Sequence, residues 1–275
     1  MAKRYEWVWS KRQDNERMKP YILTSPDLAG ENIASGGTRV MWGLFGWLLA
    51  KGQVCYMNRW TDGEQIAIYP EIQTGNPAHA TTVVRYILNT PGIMGAIYAD
   101  GKTIPGPTTF DSTDKIFVFS KIYDTFGVNA KHILFLPIIN MSVFRDQHRE
   151  RTKTCYLVGK GFNKHKHPSD SIEITRAFAQ DQQALANLLN ECYMLYGYDR
   201  LSAMYEVARL CGCPVRYYGD YSEEQLQKYE PGMNGWTMGN KKEEKLYTTV
   251  FRAHYKSMIF EFSKKLDYFI EETQA

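Results

Sequence analysis

The chain has 275 residues, 44% hydrophobic and 14% aromatic, which describes a folded protein with room for two ordinary domains rather than a disordered one. A net charge of +3 announces no polyanion binder, and five cysteines without a Cys-x-x-Cys pair remove the usual zinc spacing and point to reduced thiols. The opening MAKRYEWVWSKRQ holds no apolar leader core and the most apolar run, Val40–Ala50, is too short to cross a bilayer, so a soluble cytoplasmic protein is expected.

In chain order, Tyr21–Thr24 reads as a strand, followed by a glycine turn, Ser35-Gly36-Gly37, and a helix through Lys51. Val40, Met41, Leu44, Phe45, Leu48 and Leu49 form that helix's apolar face. Gly36 and Gly37 would admit a phosphate or sugar to the backbone with Arg39 as donor; alternatively they only turn the chain. Val54–Met57 and Ile66–Tyr69 read as strands. Glu71, at the carboxyl end of the second, suits acid–base work or a sugar contact. The plainer reading of Glu71 is a solvated loop carboxylate. His79–Asn89 reads as a helix with Val83, Val84, Ile87 and Leu88 inward, stopped by Pro91-Gly92. Ile116–Phe119 and Ile133–Leu136 read as two more strands.

The stretch Asp146–Lys153 is polar and aperiodic, and the domain boundary is placed there, at residues 148/149. Thr154–Val158 then opens a second strand–helix alternation and runs into Gly159-Lys160-Gly161. Ligands of open α/β sheets bind at that end of a strand, where Lys160 would serve as a point charge for phosphate. From Arg145 to His167 seven Lys or Arg face two acids, which suits a nucleic-acid contact or a solvated loop. His165 and His167, two apart and without further ligands, make a poor metal set. Ile172–Thr175 reads as a strand and Gln182–Leu189 as a helix.

Next, a strand ends at Tyr196, the chain turns at Gly197–Asp199, and a helix carries Met204, Val207, Ala208 and Cys211 on one face before Gly212 and Pro214. Asp199 stands where an N-cap belongs, Ser202 lies in the first turn, and Glu206 one turn deeper. A helix tip with free N–H groups suits phosphate, and a carboxylate below it suits ribose; an ordinary capped helix is the alternative. From Thr249 to Glu272 a long helix repeats Phe251, Tyr255, Ile259, Phe262, Leu266 and Phe269. No Asp-x-Asp, no G-x-x-x-x-G-K-[ST] and no G-x-S-x-G string occurs.

The stretch Tyr198–Val215 resembles the donor-binding motif of GT-B glycosyltransferases, in particular the retaining family-4-like group and a bacterial and viral subset of it. Glu206 matches the second Glu of that motif, and Gly212, Pro214 and Val215 its close; Tyr198 stands where the first Glu belongs. YPEIQTGNP (Tyr69–Pro77), VVRYILNTPG (Val83–Gly92), ILFLPIIN (Ile133–Asn140) and CYLVGKG (Cys155–Gly161) extend the likeness over both halves. The resemblance implies an α/β GT-B fold. It has two facing Rossmann-like domains, an acceptor domain (1–148) and a nucleotide-sugar domain (149–250), with a terminal helix (251–275) returning to the first. It implies transfer from a nucleotide-diphosphate sugar to a glycan, lipid-linked glycan or other acceptor, in the sense of retention, without metal or cofactor. Gly159, Lys160, Tyr196, Tyr198, Asp199, Ser202 and Glu206 would then hold the donor, with Glu206 on the ribose and Lys160 on the leaving diphosphate. Gly36, Gly37, Arg39, Glu71 and His79 would lie on the acceptor side. A sugar-nucleotide epimerase of the same fold, and a nucleotide- or nucleic-acid-binding module, are the rival readings.

Overall fold

The computed structural model describes residues 18–93, 95–97, 103–162, 164–239 and 248–275, so the MAKRYEWVWSKRQ opening lies outside the described residues. Two compact units divide the chain. Met1–Asp27, Val40–Leu136 and Phe262–Ala275 make up the first, Leu28–Arg39 and Pro137–Glu261 the second. Each contains a five-stranded parallel sheet, so the protein is α/β in a form consistent with two Rossmann-like domains. Among the described residues no helix is long and apolar enough to cross a membrane.

The first unit holds β1 (Tyr21–Leu23), most of α1 (Gly36–Ala50), β2 (Cys55–Met57), β3 (Ile66–Pro70), β4 (Thr82–Ile87), the antiparallel pair β5 (Gly95–Ile97) and β6 (Thr103–Pro105), and β7 (Lys115–Val118). Its parallel sheet runs β2-β1-β3-β4-β7. Phe262–Ala275 packs into this unit: the Phe269 ring stacks on Tyr21 and meets Phe117 edge-on, and His132 Nε2 reaches Glu272 at 3.0 Å.

Four expectations change here. His79–Asn89 is not a helix: Thr82–Ile87 is strand β4, paired on one side with β3 and on the other with β7. A central strand covered on both faces buries every residue from Val83 to Ile87, so no two-residue alternation marks it, and a short continuous apolar run fits a helix as well. Ile133–Leu136 is buried but forms only a bridge from Ile133 to Val118, not a strand. Gly36 and Gly37 are the first turn of α1 rather than a loop before it, with the Ser35 hydroxyl oxygen accepting from the Thr38 backbone N–H. The apolar face of α1 is also narrower than expected, since Leu49 is exposed.

The second unit contains β8 (Lys153–Leu157), β9 (Ile172–Glu173), α2 (Gln182–Glu191), β10 (Cys192–Gly197), α3 (Met204–Leu210), β11 (Val215–Tyr217), α4 (Glu223–Leu226), β12 (Trp236–Met238) and the first part of α5 (Thr248–Gln274). All five strands are parallel in the order β12-β11-β10-β8-β9. The change of unit at Leu136–Pro137 precedes the polar stretch Asp146–Lys153, which is built into the second unit. Arg151 donates to the carbonyls of Leu189, Cys192 and Cys211 and pairs with Asp146 at 2.9 Å. In α5 the buried hydrophobic residues are Phe251, Tyr255, Met258, Phe262, Leu266 and Phe269, with Met258 taking the place expected of Ile259.

Candidate functional site

Strand order locates the ligand end of the second sheet. From β8 the chain moves outward to β9, then returns past β8 to β10 and continues to β11 and β12. The direction reverses between β8 and β10, and an open parallel sheet offers its ligand crevice at the carboxyl ends on either side of such a reversal. Gly159-Lys160-Gly161 follows β8 at that point, and Tyr198-Asp199 follows β10. Five expected donor residues, Gly159, Lys160, Tyr196, Tyr198 and Asp199, therefore meet at one edge.

The two loops are clasped together because glycine leaves them room. A Cβ on Gly161 would stand 1.9 Å from the Tyr198 carbonyl oxygen, and one on Gly159, at φ +55°, would stand 2.0 Å from Asp199 Oδ2. The Lys160 backbone N–H donates to Asp199 Oδ2 at 3.2 Å. Burial pushes the Asp199 carboxyl above its ordinary value, against the pull of that N–H and of the Lys160 charge. Glycine recurs along the same edge: Gly197 faces the Tyr205 ring, Gly219 the Asp199 carbonyl, and Gly239 the Tyr218 ring, each closer than a Cβ would tolerate.

One face of this sheet is aromatic. Tyr156 and Tyr196 are register partners, and Tyr198 follows Tyr196 on the same side. The loop after Gly161 lies on that face, its His167 ring stacked 3.8 Å from Tyr156. The Tyr198 hydroxyl accepts from the Lys166 N–H at 2.9 Å and hydrogen-bonds His167 Nδ1 at 2.7 Å. Tyr198, standing where the motif's first acid belongs, thus anchors the basic loop. Burial and the neighbouring His165 pull the His167 pKa down.

Asp199 and Ser202 do not cap a helix in the expected way. The helix α3 starts at Met204 with Ala203 as its N-cap and has seven residues. The N–H groups of Met204, Tyr205, Glu206 and Val207 bond to the Ser202 hydroxyl, the Ser202 carbonyl and, for the last two, the Ala203 carbonyl. The expected tip at Asp199–Ser202 is a turn before the helix, in which the Arg200 and Leu201 N–H groups bond to the Asp199 carboxyl group.

Glu206 lies in a closed, charged cluster at 2% exposure. Tyr229 donates its hydroxyl to Glu206 Oε1, and the Tyr255 hydroxyl also reaches the carboxyl group. Burial pushes the Glu206 pKa up to about 7 although Tyr229, Arg209 and Arg39 favour the anion. Arg209 is fully buried, with its guanidinium 3.8 Å from the Phe251 ring centroid and Nη1 donating to the carbonyls of Gly232 and Asn234. Arg39, expected on the acceptor side with Gly36 and Gly37, belongs with both glycines to the second unit. Its Nη2 donates to the Ile138 carbonyl, and its charge acts on Glu206 and Tyr255. Tyr229, Tyr255 and Arg209 carry no motif; only the helical spacing of Tyr255 and the position of Arg209, one residue from the face of α3, hinted at them.

In the first unit the direction reverses between β1 and β3. Glu71 follows β3 at that edge, buried, its Oε2 accepting from the Leu88 N–H at 2.9 Å. Beside it in the ladder, β1 is followed by Thr24 and Ser25, whose hydroxyl oxygens are buried with no hydrogen-bond partner among the described residues. Sequence reading passed over them, although two hydroxyls directly after a strand were the available signal. His79 lies at the opposite edge. Its neighbour Ala78 accepts from the side chain of Gln65, which precedes β3, so His79 and Glu71 are at different ends of the strand.

The cationic stretch is largely neutralised. Arg149 and Lys153 pair with Glu191, Arg151 with Asp146, and Lys164 with Asp220 at 3.6 Å. No protein-family model and no curated protein matches the chain.

Proposed function

We propose that the chain is a glycosyltransferase of GT-B type, moving a sugar from a nucleotide-diphosphate sugar on the second unit to a hydroxyl acceptor on the first. The observation that carries this reading is the glycine clasp at the reversal point of the second sheet, with Lys160 beside it and the motif-bearing turn Tyr198–Asp199 opposite. A cation at such an edge stabilises charge developing on a leaving diphosphate. Glu71, Thr24 and Ser25 at the matching edge of the first unit supply a carboxylate and two hydroxyls for an acceptor. Five free, buried cysteines agree with a cytoplasmic setting. Transfer with retention and without metal belongs to the same proposal.

The test is a screen of UDP-, GDP- and dTDP-sugars by calorimetry and by slow donor hydrolysis, with and without EDTA. Binding of one donor class with hydrolysis that survives EDTA is the expected result. Absence of binding to all three classes would end the reading, and salt-sensitive DNA binding in its place would favour a nucleic-acid module.

A further inference from the structure

We propose that the first unit carries a second, non-catalytic site for a neutral saccharide. The site is an open cavity of about 540 Å3 at the amino edge of β4 and β7. Small-ligand sites span about 300–1,000 Å3, so the volume suits a sugar of one or two rings. The cavity lies at the end of the strands opposite Glu71, and the proposal does not depend on the transferase reading.

The walls are held in one geometry by a single side chain. Arg85 projects from β4 at 2% exposure and pairs with Asp114 at 2.6 Å. Its Nη1 and Nη2 donate to the carbonyls of Gln73 and Gly75, and its guanidinium lies 5.2 Å from the Phe110 ring centroid. Strand, the loop after β3 and the segment before β7 are thereby tied together. Desolvation offsets most of the attraction in a buried ion pair, so net stability is a poor reason for this one. Fixing three cavity walls is a better one, because a preorganised site loses less freedom when a ligand binds. Asn76 shapes the rim in the same way, its Oδ1 accepting from Tyr69 and Ala80 and its Nδ2 donating to the Ala80 carbonyl.

The lining selects the chemistry of the ligand. Its charges are Arg85 and Lys115 against Asp111 and Asp114, two of each sign, which gives no net attraction for phosphate or a polyanion. Threonines, among them Thr82 and Thr109, contribute hydroxyls, and Phe110 contributes an aromatic ring. Hydroxyl donors and acceptors around a single ring match a sugar, which has polar edges and an apolar C–H face.

Saturation-transfer NMR and calorimetry on the full chain, with maltose and cellobiose as probes and no nucleotide present, test the assignment. At least one disaccharide should bind, Phe110→Ala should weaken it by about tenfold or more, and Phe110→Tyr should bind like the unaltered chain. Thr109→Trp, at an exposed position on the rim, should block binding without touching the core, which guards against a folding defect in Phe110→Ala. Failure of both sugars to bind, unchanged affinity in Phe110→Ala and Thr109→Trp, or displacement of the sugar by inorganic phosphate would each overturn the proposal. UDP titrated into the same samples reports on the second unit alone, so failure of the donor site and failure of this site are read separately.

Discussion

Replacing Gly161 by alanine puts the clasp between the β8 and β10 loops to a direct test. The added methyl would stand 1.9 Å from the Tyr198 carbonyl oxygen, 2.6 Å from its carbonyl carbon and 3.2 Å from the Asp199 nitrogen. All three are main-chain atoms, so no side-chain rotation relieves the overlap and one loop must be displaced. Displacement strains the Tyr198 N–H bond to the Leu157 carbonyl at 2.9 Å and the Lys160 N–H bond to Asp199 at 3.2 Å. Over-packing costs about 1–3 kcal/mol and a weakened hydrogen bond about 0.5–1.5 kcal/mol, which puts the expected loss at roughly 1.5–4.5 kcal/mol. Gly46→Ala is the matched control. Gly46 sits inside α1 with nothing within 4 Å of an added Cβ, and the change should stabilise the chain by about 0.5–1 kcal/mol. Urea unfolding gives the difference, and amide hydrogen exchange at Tyr198 and Asp199 shows whether the loosening is local. A Gly161→Ala chain within about 0.5 kcal/mol of the parent, with unchanged exchange at those amides, would refute the clasp.

Asp114→Ala leaves Arg85 buried without its counter-charge and should cost about 3–5 kcal/mol, whereas removing both charges with Arg85→Met and Asp114→Leu should cost less than the single change. A double variant as unstable as the single one, in urea unfolding, would contradict this. Lys160→Ala should lower turnover of the cognate nucleotide sugar more than its affinity if the lysine acts on the leaving diphosphate, and equal losses in steady-state kinetics would assign it to plain binding. Glu206 holds its proton to about pH 7 when folded and to its ordinary 4.5 when unfolded. The folded state therefore binds the extra proton between those values, so this contribution to stability is full below about pH 4.5 and is lost as pH rises to about 7. Glu206→Gln should flatten the melting temperature across that window, and parallel pH profiles for the two chains would rule the assignment out.

Where one face of an element meets solvent, the sequence displays its period, though not the full width of the buried stripe. The stripe Val40, Met41, Leu44 and Leu48 of α1 and the spacing of Phe251, Tyr255, Phe262 and Phe269 in α5 are visible for that reason. Strand β4 is covered on both faces and shows no such contrast, so Val83–Ile87 was open to a helical reading. The edge between β8 and β10 was legible because Gly159 and Gly161 follow a strand directly, and tight approach of two loops leaves glycine as its trace. The cluster around Glu206 was not legible. It gathers Arg39, Tyr229 and Tyr255 from distant parts of the chain, and burial, which no local spacing records, sets its chemistry.

Tyr198 and Glu206 together show how this site departs from the motif it resembles. With the first acid replaced by Tyr198, whose hydroxyl already holds Lys166 and His167, the second acid is the only carboxyl group the motif retains. That carboxyl group is itself enclosed by Tyr229 and Tyr255, and burial favours its neutral form up to about pH 7. A neutral carboxyl donates a proton where a carboxylate only accepts, so a ribose hydroxyl would meet a different partner on either side of that pH. In the clasp Gly159 and Gly161 act through shape, and the Lys160 amide acts through its bond to Asp199 Oδ2. Nucleotide binding that changes as pH passes through 7 in the parent chain, but not in Glu206→Gln, would place Glu206 against the ligand. A pH-independent affinity in both would leave the clasp alone as the nucleotide's contact and Glu206 as a buried support for it.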